Sequence, residues 1–242
     1  MGKKNYNSIV QNRASDLDKA SVYLRNTLGD VQWLHKISDA ASLMRRQCKG
    51  DDWCIEIVDL DLPIENPRHL KPAMLADKLK MFVSIKMEGS GKKWEANEDC
   101  INTLGFCVSI VEKESNDNTK VFNTGFHIDK TDDNDDTTEI HPRYHVHFVN
   151  ESMINGFEAL SMDVPRLMHH PVDVFLGLLL VFAYYNPTIY KKLQNNHHFM
   201  GLCRESINHI LVPYFSSLSD VLSKSTQGRD VNDYALCPYL AQ

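Results

Sequence analysis

Five segments of alternating apolar and polar residues constrain the fold of this chain more than any other feature. They span residues 53–62, 80–87, 104–111, 121–129 and 144–148. Alternation at a period of two is typical of β-strands that bury one face. The first segment, WCIEIVDLDL, shifts phase at Val58-Asp59, which predicts a bulge or break there. Most connections between the segments are short, and this predicts an antiparallel sheet.

Helical periodicity flanks these strand segments on both sides. An N-terminal helical pair is predicted over about 15–28 and 31–48, after a loosely held tail, and further helices over 173–185, 199–211 and 213–222. We therefore predict an α+β fold with an N-terminal helical pair, a central antiparallel sheet and a C-terminal helical layer packed on the sheet. The expected domains are an N-terminal helical segment (1–50) and an α+β domain (51–242), with strands at about 51–150 and helices at about 171–223.

The composition is that of an ordinary soluble globular protein, with 43% hydrophobic and 24% charged residues among 242. The formal net charge of -6 disfavours broad binding to a nucleic-acid backbone, although it leaves a local basic groove open. The most apolar run, Val174–Tyr185, is far shorter than the roughly 20 residues that span a bilayer. We therefore expect a buried helix there and no membrane partner.

Cysteine spacing and the N-terminal residues bear on the compartment. The six cysteines include no C-x-x-C pair, since Cys48 and Cys54 are separated by five residues and Cys100 and Cys107 by six. Zinc-ribbon spacing is therefore absent. The polar sequence MGKKNYNSIVQNR lacks the apolar segment that a signal peptide needs. We expect a cytoplasmic protein with free thiols.

Six of the eleven histidines fall within residues 126–173, where groups that titrate near neutral pH or bind metals are concentrated. In the segments FHID and YHVHF, histidines and an aspartate alternate with apolar side chains. Side chains two apart on a strand share a face, so pairing of these two strands as a hairpin would gather the polar ones on one face. These polar residues are His127, Asp129, His145 and His147.

Three interpretations of this polar face stay open. Histidines at i and i+2 on a strand, with a carboxylate nearby, can bind a divalent metal ion, with His127, Asp129, His145 and His147 as ligands. Without a metal, paired histidines oriented by a carboxylate can act as general acid and base in phosphoester or acyl chemistry. In the third interpretation the residues are structural, being solvated or hydrogen-bonded across the strands.

Residues near this face extend the candidate site. His141, whose backbone is biased to an extended conformation by the proline that follows, is expected at the rim. Arg166 suits the binding of a phosphate or carboxylate, and an ion pair with Asp163 is the alternative. Asp173 is expected to cap the N-terminus of the apolar helix rather than to act in catalysis.

The frame HID…HPRYHVHF…DVPRLMHHPVD, followed by an apolar helix ending in YYNP, resembles uncharacterised bacterial domain-of-unknown-function proteins. Those proteins are found near mobile elements or phage-defence genes. The resemblance covers about residues 122–190, and these families have no settled activity, so it implies a bacterial context rather than a mechanism. The positions that match the recurring pattern are His127, Asp129, His141, His145 and Arg166.

Two functions from different classes follow. The first is a hydrolase acting on a phosphoester of a nucleotide or nucleic acid in a defence or mobile-element context. Its catalytic residues would be His127, Asp129, His145 and His147, with Arg166 holding the anionic group. The second is a non-enzymatic regulatory or accessory subunit of a bacterial multi-protein system. Its N-terminal helices would bind a protein partner or a second copy of the chain.

Overall fold

The computed structural model describes residues 7–48, 50, 52–65, 79–112, 121–130, 142–153 and 167–226. The helices in these ranges are α1 (Asn7–Leu28), α2 (Leu34–Gln47), α3 (Gly91–Ala96), α4 (Val174–Tyr185), α5 (Pro187–Gln194), α6 (His197–Ser206) and α7 (Val212–Thr226), with a π-helical turn (Ile207–Leu211) between α6 and α7. The strands are β1 (Asp52–Leu62), β2 (Leu79–Ser90), β3 (Ile101–Glu112), β4 (Val121–Lys130), β5 (Tyr144–Met153) and β6 (Leu167–Met168). The predicted α+β architecture, with its N-terminal helical pair, antiparallel sheet and C-terminal helices, is confirmed.

The six strands in the described part of the chain form one antiparallel sheet in the order β1-β2-β3-β4-β5-β6. Each strand pairs with its neighbour in sequence, which is the meander that the short connections predict. The pairing of β1 with β2 shifts register between Ile57 and Leu60, at the predicted bulge. There Asp59 adopts φ 52, a left-handed conformation, and its backbone N–H donates to Ser84 Oγ at 3.0 Å.

One face of the sheet is apolar and packs against the helices. Met81, Val83 and Ile85 alternate along β2 and are at most 1% exposed. Helix α4 approaches β3 so closely that a Cβ added at Gly177 would lie 2.2 Å from the ring of Phe106. The N-terminal helices contribute to the same core through Leu17, Leu24, Leu34, Ile37 and Met44. The helical pair and the sheet therefore share one hydrophobic core, which drives their association.

The opposite face of the sheet is polar and partly exposed, and we call it the open face. It is made by the side chains that alternate with the core residues of β1 to β5. Lys86 is exposed, whereas Cys107, His127 and Asp129 are half-buried. This exposure leaves groups that titrate or bind metals accessible to solutes.

Asp173 lies fully buried at the N-terminus of α4, and its carboxylate accepts four hydrogen bonds. The backbone N–H groups of Phe175 and Leu176 donate to Oδ1 at 3.1 and 3.0 Å, which is the predicted helix cap. Arg13 Nη2 and the Ser206 hydroxyl donate to Oδ2 at 2.9 and 2.5 Å. One carboxylate thus joins α1, α4 and α6.

The predicted N-terminal tail is wrong in part. Helix α1 begins at Asn7 rather than near residue 15. Ile9 and Val10 are 7% and 2% exposed, so they extend the buried stripe of the helix by two turns. In the described part of the chain, no helix combines the length and apolar character needed to cross a membrane.

Candidate functional site

Strands β2 to β5 each place one side chain in a row across the open face. In the register of the sheet, Ser84 is opposite Cys107, Cys107 is opposite His127, and His127 is opposite His147. The adjacent row contains Lys86, Gly105, Asp129 and His145. The predicted pairing of the two histidine-bearing strands is therefore present, and residues directly opposite each other share a face.

Cys107 and His127 form a hydrogen-bonded pair between β3 and β4. Cys107 Sγ lies 3.1 Å from His127 Nε2. This hydrogen bond raises the pKa of the His127 imidazole and lowers the pKa of the Cys107 thiol. Both shifts have the same physical origin, because the contact favours the imidazolium and thiolate forms. The pair is half-buried, so it is also within reach of solutes.

His147 and Asp129 form a second pair between β5 and β4. His147 Nε2 lies 2.8 Å from Asp129 Oδ2, and the ring centroids of His147 and His127 are 5.1 Å apart. One ligand atom from each of His127, Asp129 and His147 lies within 4.8 Å of the other two. We call these three residues the His/Asp cluster, and its atoms are the kind that bind divalent transition metals.

A cavity of about 240 Å³ opens beside the His/Asp cluster. His127, Asp129 and Cys107 line one side, and Glu56 and Lys86 from β1 and β2 line the other. The volume suits a small ligand or one group of a larger one. The site therefore combines possible metal ligands, a cysteine and a cation around one open space.

His145 is placed differently from the other histidine on β5. It is opposite Asp129 in the register, yet it is only 3% exposed. Its Nδ1 donates to the carbonyl oxygen of Pro142 at 3.2 Å, and its ring centroid lies 5.9 Å from that of His147. Of the four predicted strand residues, three make the cluster and His145 is a buried neighbour.

The remaining residues of the histidine-rich stretch 126–173 divide into two groups. His141, Asp163 and Arg166 lie outside the described residues, so their roles stay predictions. His169 and His170 stack on each other with ring centroids 4.2 Å apart. Burial lowers the pKa of His169, and burial together with the charge of His169 lowers the pKa of His170 to about 4. Neither ring belongs to the His/Asp cluster.

Cysteine spacing alone does not predict Cys107 as a site residue, and Glu56 and Lys86, which line the same cavity, are not predicted either. A usable signal exists: alternation in the segment 104–111 places Gly105, Cys107 and Ser109 on its polar face. A meander then puts that segment beside 121–129. Which residues become direct neighbours depends on the register, and alternation leaves shifts of two residues undetermined.

No protein-family model, curated protein or solved structure matches this chain. The fold and site together define an α+β protein with a His/Asp cluster and a cysteine on the open face of an antiparallel sheet. The resemblance to uncharacterised bacterial domain-of-unknown-function proteins stays a prediction.

Proposed function

We propose that this protein is a metal-dependent phosphoester hydrolase in which His127, Asp129 and His147 hold the metal ion. The observation that carries the proposal is the gathering of three ligand atoms within 4.8 Å beside a cavity. Two imidazoles and one carboxylate suit zinc, manganese or iron. Three protein ligands also leave a position open to substrate, which distinguishes catalytic from structural zinc sites.

Metal binding would require only local movement of side chains. Ligand atoms around an ion with bonds of about 2.1 Å are separated by roughly 3 to 3.5 Å. His147 Nε2 and Asp129 Oδ2 are already 2.8 Å apart, so the main change is a closer approach of one His127 ring nitrogen to this pair. A bound ion would act as a Lewis acid toward the phosphoryl oxygens.

Other residues of the chain would bind and orient the substrate. Lys86 lines the cavity and provides a positive charge for an anionic group. His145 is buried beside His147 and would hold that ring in position. Arg166 is expected to contact the anionic group as well. The net charge of -6 favours a nucleotide over a long nucleic acid, because a long polyanion would be repelled by the whole protein. A cytoplasmic, bacterial, defence-related setting remains our expectation.

The test measures metal binding and hydrolysis on the same chelator-treated preparations. Calorimetric titration with zinc or manganese should give one ion per chain, and the loaded protein should hydrolyse bis(p-nitrophenyl) phosphate. In Asp129→Asn and His147→Ala, metal affinity should fall by at least about 100-fold, because each removes a direct ligand. His197→Ala alters an exposed histidine at the start of α6 and should behave like the wild type.

The two readouts separate the parts of the proposal. Unchanged stoichiometric binding in Asp129→Asn and His147→Ala would contradict the assignment of the metal ligands. Metal binding that depends on these residues but gives no hydrolysis of phosphodiesters or nucleotides would leave a metal site and refute the hydrolase.

A regulatory or accessory subunit is the second candidate, and an exposed apolar surface favours it. Val212 and Phe215 on α7 are each 52% exposed, and Leu222 is 42% exposed. Surfaces of this kind are typical of contacts with other proteins. The N-terminal helices, by contrast, bury much of their apolar surface in the chain's own core. Light scattering on the wild type and on Phe215→Asp would test self-association: a mass of two or more chains that falls to one chain supports it.

A further inference from the structure

Cys48 and Cys54 bring their sulfur atoms together where α2 meets β1. Cys48 directly follows α2, Cys54 lies on β1, and both are half-buried. Their Sγ atoms are 3.4 Å apart, and the backbone N–H of Cys54 donates to Cys48 Sγ at 3.1 Å. Both side chains are free thiols. The backbone geometry at the end of α2 therefore holds two thiols in direct contact.

We propose that Cys48 and Cys54 are a redox modification site, in which the two thiols are oxidised by a peroxide to an intramolecular disulfide. A disulfide bond is about 2.05 Å long, so the sulfur atoms need to approach by little more than 1 Å. Partial exposure lets a small oxidant reach the pair. The inference is independent of the proposed hydrolase, because no residue of the His/Asp cluster takes part.

The two thiols would have different roles in the reaction. The Cys48 thiolate attacks one peroxide oxygen, the O–O bond breaks, and Cys48 becomes a sulfenic acid while the first water leaves. The Cys54 sulfur then forms the S–S bond and displaces the hydroxyl group of the sulfenic acid as a second water. The two thiols thus lose two electrons and two protons in total, and one peroxide is reduced to two waters.

The environment of Cys54 supports this order of events. Burial and the hydrogen bond with Cys48 raise the pKa of the Cys54 thiol to about 11. Cys54 is therefore protonated at neutral pH and is a poor first nucleophile toward peroxide. It lies in contact with Cys48, where it can react as soon as the sulfenic acid forms.

The disulfide would tie α2 to the strand that borders the candidate site. Cys54 lines a cavity of about 200 Å³ together with Met44 of α2. Glu56 and Lys86 line both this cavity and the one beside the His/Asp cluster. Oxidation would therefore restrain one wall that the two cavities share.

Peptide mass spectrometry after differential alkylation tests the proposal on the full reduced chain, with and without hydrogen peroxide. We expect a peptide crosslinked between Cys48 and Cys54, a loss of two titratable thiols per chain, and reversal by dithiothreitol. Cys48→Ser and Cys54→Ser should each abolish the crosslink, and circular dichroism verifies that they fold. Cys107→Ser removes the half-buried cysteine of the candidate site and should leave the crosslink unchanged.

Three results would overturn the proposal. They are a disulfide from either residue to another cysteine, separate oxidation of Cys48 and Cys54 without a crosslink, and oxidation confined to cysteines elsewhere. None of these outcomes depends on a metal ion or on hydrolysis, so failure here is distinguishable from failure of the proposed function.

Discussion

The two faces of the sheet use charged side chains in opposite ways. On the core side, Asp173 and Arg13 are 0% and 3% exposed, and the carboxylate is surrounded by four donors. On the open face, Asp129 and His147 form a pair whose side chains are 30% and 33% exposed, with a cavity beside Asp129. The first arrangement has no room for a ligand at the carboxylate, whereas the second has ligand atoms and space.

This difference shows why burial, rather than residue type, separates structural from candidate functional groups. A buried ion pair has already lost its hydration. Removing one partner therefore leaves the other charge unpaired in a medium of low polarity. A half-exposed pair keeps water as an alternative partner, so its loss costs the fold little. Polar residues of the open face can therefore be substituted without unfolding the protein.

The largest expected effect is at Asp173. Asp173→Ala should lower the free energy of unfolding by about 3–5 kcal/mol, because Arg13 is left buried without its counter-ion and α4 loses its cap. Urea denaturation followed by circular dichroism measures this. The matched variant on the open face, Asp129→Ala, should cost less than about 1 kcal/mol. Equal losses of stability in the two variants would contradict this difference between the buried and the half-exposed aspartate.

A smaller effect on stability is expected from adding one methyl group on each side of the sheet, at Gly177 of α4 on the core side and at Gly105 of β3 on the open face. Gly177→Ala pushes a Cβ to 2.2 Å from the Phe106 ring, whereas Gly105→Ala places one 3.7 Å from Asp129 Oδ1. Overpacking at Gly177 should cost about 1–3 kcal/mol, even though alanine is the better helix former. Gly105→Ala should change stability by less than about 1 kcal/mol, because the new contact is of ordinary length.

Urea denaturation of these two glycine variants tests how tightly each side of the sheet is packed. If Gly177→Ala is as stable as the wild type, α4 packs less tightly on β3 than the 2.2 Å approach to Phe106 implies. A large loss in Gly105→Ala would mean that the open face is covered and tightly packed.

Much of this contrast could be predicted from the sequence, since it rests on local patterns. Alternation predicted the strands and the polar face of FHID and YHVHF, and the phase shift at Val58-Asp59 predicted the bulge. The cap at Asp173 could be predicted because a helix N-terminus and its capping residue are adjacent in sequence.

The parts that could not be predicted depend on contacts between distant segments. Arg13 and Asp173 are 160 positions apart, and nothing in either segment specifies the other. Cys107 meets His127 only through the register of β3 with β4. The burial of His145 was equally hidden, because its alternation in sequence is identical to that of His147.

The smallest expected effect separates two kinds of histidine by pH. A hydrogen bond raises the pKa of His127 on the open face, whereas burial and the charge of His169 lower the pKa of His170 to about 4. In the unfolded chain His170 takes up a proton near pH 6.5. Between these values unfolding binds a proton, so the contribution of His170 to stability is present above pH 6.5 and is lost as the pH falls toward 4.

His170→Gln removes this titration, and urea denaturation from pH 7.5 to 4 measures the effect. The wild type should lose on the order of 1 kcal/mol more than the variant over this range, a value reduced for the partial exposure of the ring. His197→Gln, at an exposed position, should follow the wild type at every pH. If His170→Gln loses as much stability as the wild type on acidification, the stacked pair is hydrated, and the difference between its histidines and those of the open face disappears.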